Sequence, residues 1–169
     1  MQIKYSSLLI LACLLPPAVR LVAADELNVM TFNIRYDNLG DGLDNWRFRS
    51  ANVAGMFSHH KVAVAGLQEV LHRQLSHLEK RLPGYAHVGV GREDGKQKGE
   101  YAPIFFDKSR LELTRSDTIW LSETPKKAGS KSWDSSLPRI ATLAWLKEKE
   151  TGKLLLVVNT HFDHRGAVA

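Results

Sequence analysis

The sequence contains a single cysteine, Cys13, and no long uninterrupted apolar run. Cys13 lies within the first 24 residues, which have the features of a cleaved leader, so residues 25–169 contain no cysteine. Such a chain cannot be held together by disulfides, which excludes the small disulfide-stapled class of exported domains. Its stability must come from a hydrophobic core or from bound ions.

The N-terminal segment has the three parts of a signal peptide. Lys4 supplies the positive start, residues 8–15 a short apolar stretch, and Ala23-Ala24 a small-residue cleavage site. The apolar stretch is well short of the ~20 residues that span a bilayer. We therefore predict a signal peptide over residues 1–24 and a secreted or periplasmic mature chain without an integral membrane span. The alternative is an uncleaved anchor.

The chain also lacks internal repeats, low-complexity tracts and any sign of a second domain. Its 44% apolar and 24% charged residues are typical of one globular domain, here residues 25–169. The formal net charge is +5, of which Lys4 and Arg20 in the leader contribute two. This mild basic bias is compatible with a phosphate-bearing substrate and too weak for a dedicated nucleic-acid binder.

The first half of the domain alternates strands and helices. Residues 27–34 predict a strand, and Asp44 is the predicted N-cap of a helix after an Asn/Asp/Gly-rich loop. Residues 61–70, KVAVAGLQEV, predict a strand buried on both faces. Leucines at helical spacing then predict an amphipathic helix over residues 71–82. This order predicts a layered α/β (α+β) domain.

The second half predicts mainly strands. GYAHVGV and YAPIFFD flank the polar loop GREDGKQKGE, and LELTRSDTIWLS at residues 111–122 predicts a strand pair. A loop over residues 123–137 leads to two further strands, RIATLAWLKEK and LLLVVNTHF. The last of these, residues 154–162, is so apolar that we expect an interior strand.

Asn33 and Glu69 each lie where an apolar strand ends in a polar loop. Ligands collect at such strand ends in layered α/β proteins. A carboxylate beside an amide oxygen suits Mg²⁺ or Mn²⁺, which prefer oxygen ligands and keep several waters. The alternative is that Gln68-Glu69 caps the following helix, where a negative charge is favourable.

His161 follows the aliphatic run of the last strand. Strand alternation places Asn159, His161 and Asp163 on one face and His164 on the other. A histidine at a strand end can contact a phosphate or deliver a proton to a leaving group, because histidine titrates near neutral pH. The alternative is a structural histidine.

Six segments in order carry a family resemblance: VMTFNIRYDN, GLQEV, GREDGKQKGEYAPIFFDKSRLEL, TIWLSETP, SWDSSLPRIATLAWL and VVNTHFDHRG. Together they resemble the secreted, bacterial-type branch of the endonuclease/exonuclease/phosphatase superfamily, which has the deoxyribonuclease-I-like fold. The resemblance implies metal-dependent hydrolysis of phosphoesters on a four-layer α-β-β-α sandwich with mixed, mostly antiparallel sheets. The substrate would be a nucleic acid, a sugar phosphate or a phospholipid headgroup.

The resemblance also implies roles for single residues. Glu69 would bind Mg²⁺ (or Mn²⁺), and Asn33 would belong to the metal site and orient the phosphate or the attacking water. His161 would lie beside the scissile phosphate, hydrogen-bonded to Glu100, which would fix its tautomer. These three catalytic residues, Asn33, Glu100 and His161, are separated widely along the chain.

The resemblance implies Arg35 and Arg139 as substrate-binding residues, and Asn159 is a third candidate. A guanidinium suits this task because its planar fork binds two phosphate oxygens at once. Surface arginines without a ligand are the alternative for Arg35 and Arg139, and an exposed loop carboxylate is the alternative for Glu100. Asn159 is included because alternation places it on the same face as His161.

Two strings that the resemblance leads us to expect, G-D-x-N and S-D-H, do not occur in the sequence. We therefore expect the domain to be incomplete at its C-terminus, as the N-terminal half of the sandwich, and inactive alone. Two alternatives stay open. One is a non-catalytic module that binds phosphorylated ligands, and the other is a half-domain that completes itself by dimerising through an exposed sheet.

Overall fold

The computed structural model describes residues 26–169, so the predicted signal peptide lies outside the described residues. Two helices and a short 3-10 helix at Leu39–Asp44 accompany seven strands in the described part. The elements are β1 (Asn28–Asn33), α1 (Trp46–His59), β2 (Val62–Gln68), α2 (His72–Arg81), β3 (Tyr85–Val88), β4 (Ile104–Asp107), β5 (Leu111–Trp120), β6 (Ile140–Glu148) and β7 (Leu154–Thr160).

The strands form two sheets. The first has the order β1-β2-β4-β3 and the second the order β5-β6-β7. Only β1 and β2 pair in parallel among these neighbours, with Asn33 opposite Gln68. The remaining pairs are antiparallel. The mixed, mostly antiparallel arrangement and the α/β class are as the sequence predicts.

Three layers bury the core. The helices cover one face of the first sheet, where Trp46, Phe57 and Phe105 are almost fully buried. The other face packs on the second sheet through a cluster that includes Ile104 and Leu146. Burying each large apolar side chain contributes roughly 1.5–3 kcal/mol. The strand β2 is buried along its whole length, which confirms the prediction for residues 61–70.

The strand β7 differs from its prediction as an interior strand. Leu154, Leu156 and Val158 on its outward face are 73%, 56% and 55% exposed. Leu155 and Val157 point inward and pack against the core between the sheets. Nothing within residues 26–169 covers the outward face, since the helices lie on the opposite side of the molecule. The exposed apolar side chains on this face lack the hydrophobic stabilisation that burial would give, about 25 cal/mol for each Å² of surface.

Two local predictions are wrong. The helix α1 is capped by Asn45, whose side chain accepts from the Arg47 amide, and not by Asp44. Residues 111–122 contain one long strand, β5, where a strand pair was expected. The register shift between Leu113 and Arg115 explains the error, because a bulge breaks the alternation as a turn would. In residues 26–169 no helix is both long and apolar enough to cross a membrane.

Candidate metal and phosphate site

Asn33 and Glu69 meet at the ends of the two parallel strands. Asn33 Nδ2 donates to Glu69 Oε1 over 2.9 Å. The other carboxylate oxygen, Oε2, accepts from the Tyr36 amide at 3.1 Å. Glu69 adopts a left-handed backbone conformation with φ of 61°. Non-glycine residues rarely do so, and such residues are frequent at functional sites.

Glu69 does not cap the following helix, so that alternative is wrong. The helix α2 begins at His72, and Leu71 is the residue before it. The Leu71 amide instead donates a hydrogen bond to Oε1 of the buried Gln74 side chain, at 3.0 Å. The Glu69 carboxylate therefore turns away from the helix and toward the end of β1.

The surroundings keep Glu69 ionised. Partial burial alone would raise its pKa, but the hydrogen bonds from Asn33 and Tyr36 and the charges of His161 and Arg35 outweigh it. The pKa of Glu69 is therefore lowered. A carboxylate held in its charged form by donors and nearby cations is ready to bind a divalent cation without first losing a proton.

The donor set at this point fits a hard cation with few protein ligands. Each Glu69 oxygen takes one hydrogen bond and keeps lone-pair capacity for a metal ion. Across residues 26–169, no three His, Cys, Asp or Glu side chains are grouped so as to hold a metal. Mg²⁺ is commonly bound through one or two carboxylates and several waters, so a single carboxylate with an amide neighbour suits it. Asn33 Oδ1 already accepts from the Arg35 amide at 2.9 Å, which favours Asn33 as the residue that orients Glu69.

Arg35 lies on the loop after β1, and its guanidinium turns to Asp41. Nε and Nη2 donate to the two Asp41 oxygens at 3.0 and 2.9 Å. The guanidinium carbon also lies 4.7 Å from the centroid of the Tyr36 ring. Buried Gln74 donates to the Arg35 carbonyl at 2.8 Å and holds the loop. The predicted phosphate contact thus has a competing carboxylate, although the Arg35 charge still acts on Glu69.

His161, Glu100 and Arg139 are brought together around a small cavity of about 10 Å³. His161 Nδ1 lies 3.8 Å from Glu100 Oε2, which is too long for the predicted hydrogen bond. The same oxygen instead accepts from Arg92 Nη1 at 2.9 Å. Arg92 also lines the cavity, which is completed by Tyr101, Ala102 and Ile140.

Arg139 is almost fully buried, so the surface-arginine alternative is wrong for this residue. Its side chain is 4% exposed, and Nε and Nη2 each lie 3.1 Å from Asp163 Oδ1. Nη2 also lies 3.1 Å from His164 Nδ1. Most of its donors are therefore committed within the protein, and it presents its charge to the cavity beside His161.

Asp163 anchors the segment after β7. The Gly166 and Arg165 amides, the Ser136 hydroxyl and the Arg139 guanidinium all donate to it, and together they lower its pKa far below the ordinary range. Its side chain has no solvent exposure. Asp163 thus fixes both the Arg139 side chain and the backbone segment that follows His161.

Asn159 does not face the candidate site. Its Nδ2 donates to the carbonyls of Leu67 and Pro103 at 2.7 and 3.0 Å, and its Oδ1 accepts from Gln68 Nε2 at 2.7 Å. A Cβ at Gly66 would lie only 2.7 Å from Asn159 Oδ1, so glycine is required there. The predicted substrate contact is replaced by a buried bridge between the sheets. Alternation predicts which residues share a face but not which face points inward.

Sequence reasoning missed Arg92 and the pairing role of Asp163. Arg92 lies in the loop GREDGKQKGE, whose three glycines were a signal of a tightly built turn. Asp163 follows His161 by two residues, but its partner Arg139 lies in a distant part of the chain, just before β6. His161 and Glu69 are also linked, since the charge of His161 helps to lower the pKa of Glu69.

Solved structures with similar folds were found at high sequence identity. An endonuclease/exonuclease/phosphatase from Bacteroides vulgatus is 50% identical, with a TM-score of 0.80; the match covers 80% of this chain and 52% of that one. A family protein from Bacteroides thetaiotaomicron is 40% identical, with a TM-score of 0.81, and covers 84% and 52%. The mannosyl-6-phosphatase of Bacteroides thetaiotaomicron VPI-5482 is 39% identical, with a TM-score of 0.82, and covers 85% and 54%.

No protein-family model matches the sequence, and no curated protein matches it by sequence. The chain spans about half the length of the solved structures it matches. Its two sheets and its helical layer correspond to part of their deoxyribonuclease-I-like fold. On the strength of this likeness in sequence and fold, the chain belongs to the endonuclease/exonuclease/phosphatase family.

Proposed function

We propose that this chain carries the metal-binding and phosphate-binding part of a Mg²⁺-dependent phosphoester hydrolase site. One observation carries the proposal: Glu69 is held as an ionised carboxylate at the end of β2, between Asn33 and the Tyr36 amide. The lowered pKa of Glu69 supports it, because metal ligands must be deprotonated. Mn²⁺ would take the same oxygen ligands.

A sugar phosphate is the substrate class that we favour. The mannosyl-6-phosphatase that matches this chain is 39% identical to it, which supports a phosphate monoester on a sugar. The net charge of +5 is mild, which gives little support to a polyanionic substrate such as a nucleic acid. A phospholipid headgroup is the third substrate class, and export to the periplasm or beyond would give access to all three.

Each residue of the site has a distinct task in this proposal. Bound Mg²⁺ would stabilise negative charge on the phosphoryl oxygens. Glu69 holds the cation and Asn33 orients Glu69. His161, which is partly exposed at the end of β7, hydrogen-bonds to the phosphate or gives a proton to the leaving oxygen. Arg139 lines the cavity beside His161; Asp163 balances its charge, and Nη1 donates to the His161 carbonyl at 3.5 Å, so Arg139 holds His161 in place.

We further propose that residues 25–169 bind metal and phosphate but do not turn over substrate. Hydrolysis requires a group that activates the attacking water, and the sequence contains neither of the strings expected to supply it, G-D-x-N or S-D-H. A general base is worth roughly 10²–10⁴-fold in rate, so its loss alone suppresses turnover strongly. Binding would survive because Glu69 and Asn33 do not depend on those strings.

The test uses purified residues 25–169 with Mg²⁺. Binding of inorganic phosphate is followed by ³¹P NMR, and release of phosphate from mannose 6-phosphate is followed in parallel. The proposal predicts Mg²⁺-dependent phosphate binding that E69A abolishes, with no release above the E69A level. Phosphate binding that needs no Mg²⁺ and is unchanged in E69A contradicts the proposed metal and phosphate site. Clear metal-dependent release contradicts the inactivity of this chain.

A second function is supported by the outward face of β7. Leu154, Leu156 and Val158 form a row of exposed apolar side chains on this strand, a feature typical of protein–protein interfaces. Self-association through this face would cover it. Analytical ultracentrifugation of residues 25–169 is expected to show a dimer that L156K dissociates, whereas L39K, at an exposed leucine on the 3-10 helix, leaves it intact. A strictly monomeric wild-type protein contradicts this function.

A further inference from the structure

We propose that Arg92 is a positioning residue for His161, and that its buried guanidinium fixes the Glu100 carboxylate beside His161 Nδ1. The inference rests on the proposed function, in which His161 acts at the phosphate. It adds a residue that touches neither substrate nor metal. Arg92 acts through Glu100, and Glu100 decides which nitrogen of His161 is free to act.

The loop that carries Arg92 and Glu100 is built to hold them opposite each other. The Arg92 amide donates to the Glu100 carbonyl at 3.1 Å, and the Glu93 amide donates to the Lys98 carbonyl at 3.1 Å. Glycine is required at two points: a Cβ at Gly91 would lie 2.3 Å from the Lys98 carbonyl oxygen, and Gly99 has a φ of 78°. The two side chains therefore leave a rigid loop side by side.

Arg92 is fixed from a second direction by β5. The indole nitrogen of Trp120 donates to the Arg92 carbonyl at 2.7 Å. The Arg92 side chain is only 9% exposed, and its Nη1 lies 2.9 Å from Glu100 Oε2. Burial lowers the pKa of Arg92 despite the charge of Glu100. A buried ion pair stabilises a fold no better than packed apolar side chains of the same volume, so stability alone does not explain this pair.

One carboxylate oxygen of Glu100 lies close to both Arg92 and His161. Oε2 accepts from Arg92 Nη1 at 2.9 Å and lies 3.8 Å from His161 Nδ1. Arg92 Nε and His161 Nδ1 are buried without hydrogen-bond partners, and both residues line the same small cavity. The negative oxygen beside Nδ1 favours the tautomer that carries its proton on that nitrogen. Nε2 is then the nitrogen with a free lone pair.

The position of this proton matters for the site. Nε2 is the other ring nitrogen, and His161 is about one-third exposed at the end of β7. With the proton on Nδ1, Nε2 can take a proton from a reacting group or, once protonated, deliver one to the leaving oxygen. Without Arg92, the Glu100 side chain can rotate away from the cavity, and His161 would lose its fixed tautomer.

The test reads the tautomer of His161 directly by ¹⁵N NMR of residues 25–169 labelled at histidine, without metal or substrate. Spectra are taken near pH 8, about 1.5 units above the ordinary histidine pKa of ~6.5, and the His161 signals are assigned from their loss in H161N. The wild-type protein is expected to carry the proton on Nδ1. E100Q and R92M are both expected to move it to Nε2, and R92K, which keeps a positive charge near Glu100, is expected to restore the wild-type pattern.

Two results overturn the proposal. In one, R92M keeps the wild-type pattern while E100Q changes it, so that Glu100 needs no Arg92. In the other, E100Q itself leaves the proton in place, so that Glu100 has no hold on His161. W120F is the structural control: it removes only a bond to the Arg92 backbone and keeps the side-chain pair of Arg92 with Glu100, so it is expected to lower the melting temperature without moving the proton. R92Q replaces R92M, with the same expectation, if R92M does not fold.

This experiment separates the two proposals. It contains no phosphate and no metal, so its outcome does not depend on whether the chain binds either. A failure of phosphate binding with the expected tautomer shift would reject the hydrolase site and keep the role of Arg92. The reverse result would keep the site and reject that role.

Discussion

The side chain of Asn33 donates a 2.9 Å hydrogen bond from Nδ2 to Oε1 of Glu69, and so joins the ends of two parallel strands. The register explains why these residues meet, because Asn33 pairs with Gln68, the residue before Glu69. The same asparagine accepts the Arg35 amide with its Oδ1. Asn33 is thus a link between the loop after β1 and the carboxylate after β2.

Asn33 is expected to set the metal affinity through Glu69. N33A removes the donor that orients the carboxylate, and losing such an outer partner typically costs about 10–100-fold in metal affinity. Calorimetric titration with Mn²⁺ measures the change. N28A is the matched control, because Asn28 lies at the opposite end of β1 and donates to the His60 carbonyl. Equal affinities of N33A and N28A would contradict the orienting role.

Asn159 is expected to contribute to stability and not to substrate binding. N159A deletes a bridge between the sheets and removes three buried hydrogen bonds, to the carbonyls of Leu67 and Pro103 and from the Gln68 amide. We expect a loss of about 3 kcal/mol in the free energy of unfolding, since each buried hydrogen bond contributes about 1 kcal/mol. Urea denaturation measures it.

The neighbouring residue provides the control for Asn159. T160A removes a single hydrogen bond, from Oγ1 to the Ile140 carbonyl at 2.8 Å, and is expected to cost about 1 kcal/mol. If both variants lose the same small amount of stability, then the bridge formed by Asn159 is not an important link between the sheets.

Asp163 is expected to make stability depend on pH. Its folded pKa is lowered far below the ordinary value by the Gly166 and Arg165 amides, Ser136 and Arg139. A lowered folded pKa stabilises the protein above the unfolded pKa of ~3.9, and this stabilisation is lost as pH falls below it. D163N should therefore be less stable than wild type at neutral pH, and the difference should shrink below about pH 4.

Denaturation at neutral and acidic pH measures that difference. D44N is the matched control, since Asp44 is exposed at the end of the 3-10 helix. A difference between wild type and D163N that stays constant from neutral pH to pH 3 would show that the buried carboxylate does not stabilise the fold through its charge.

The strand ends were the part of the site that the sequence could predict. Apolar runs that stop at Asn33 and Glu69 locate the edge of a sheet, and the parallel register of β1 and β2 then brings the two residues into contact. The buried strand β2 was predictable for the same reason, as seven consecutive residues without a charge. The local pattern of apolar and polar residues thus predicts which residues lie within a strand and which lie at its end.

Contacts between distant segments could not be predicted from pattern. Asn159 shares a face with inward-pointing Leu155 and Val157, and only the packing of the second sheet shows that this face is the buried one. Arg139, just before β6, bonds to Asp163, just after β7, and the two residues are 24 positions apart, so local sequence does not predict the pair. Arg92 is a buried cation in a polar loop. Arginine is seldom buried unless it is paired, so the burial of Arg92 follows from its contact with Glu100 and not from the local sequence.

The most direct test of the metal site is calorimetric titration of Mn²⁺ into residues 25–169, as wild type, E69A and E112A. Glu112 is an exposed glutamate on β5 and serves as the matched control. We predict that wild type and E112A bind Mn²⁺ with equal affinity and that E69A binds it at least tenfold more weakly, because the proposed carboxylate ligand is removed. Wild-type affinity in E69A would contradict the assignment of Glu69 as the metal ligand.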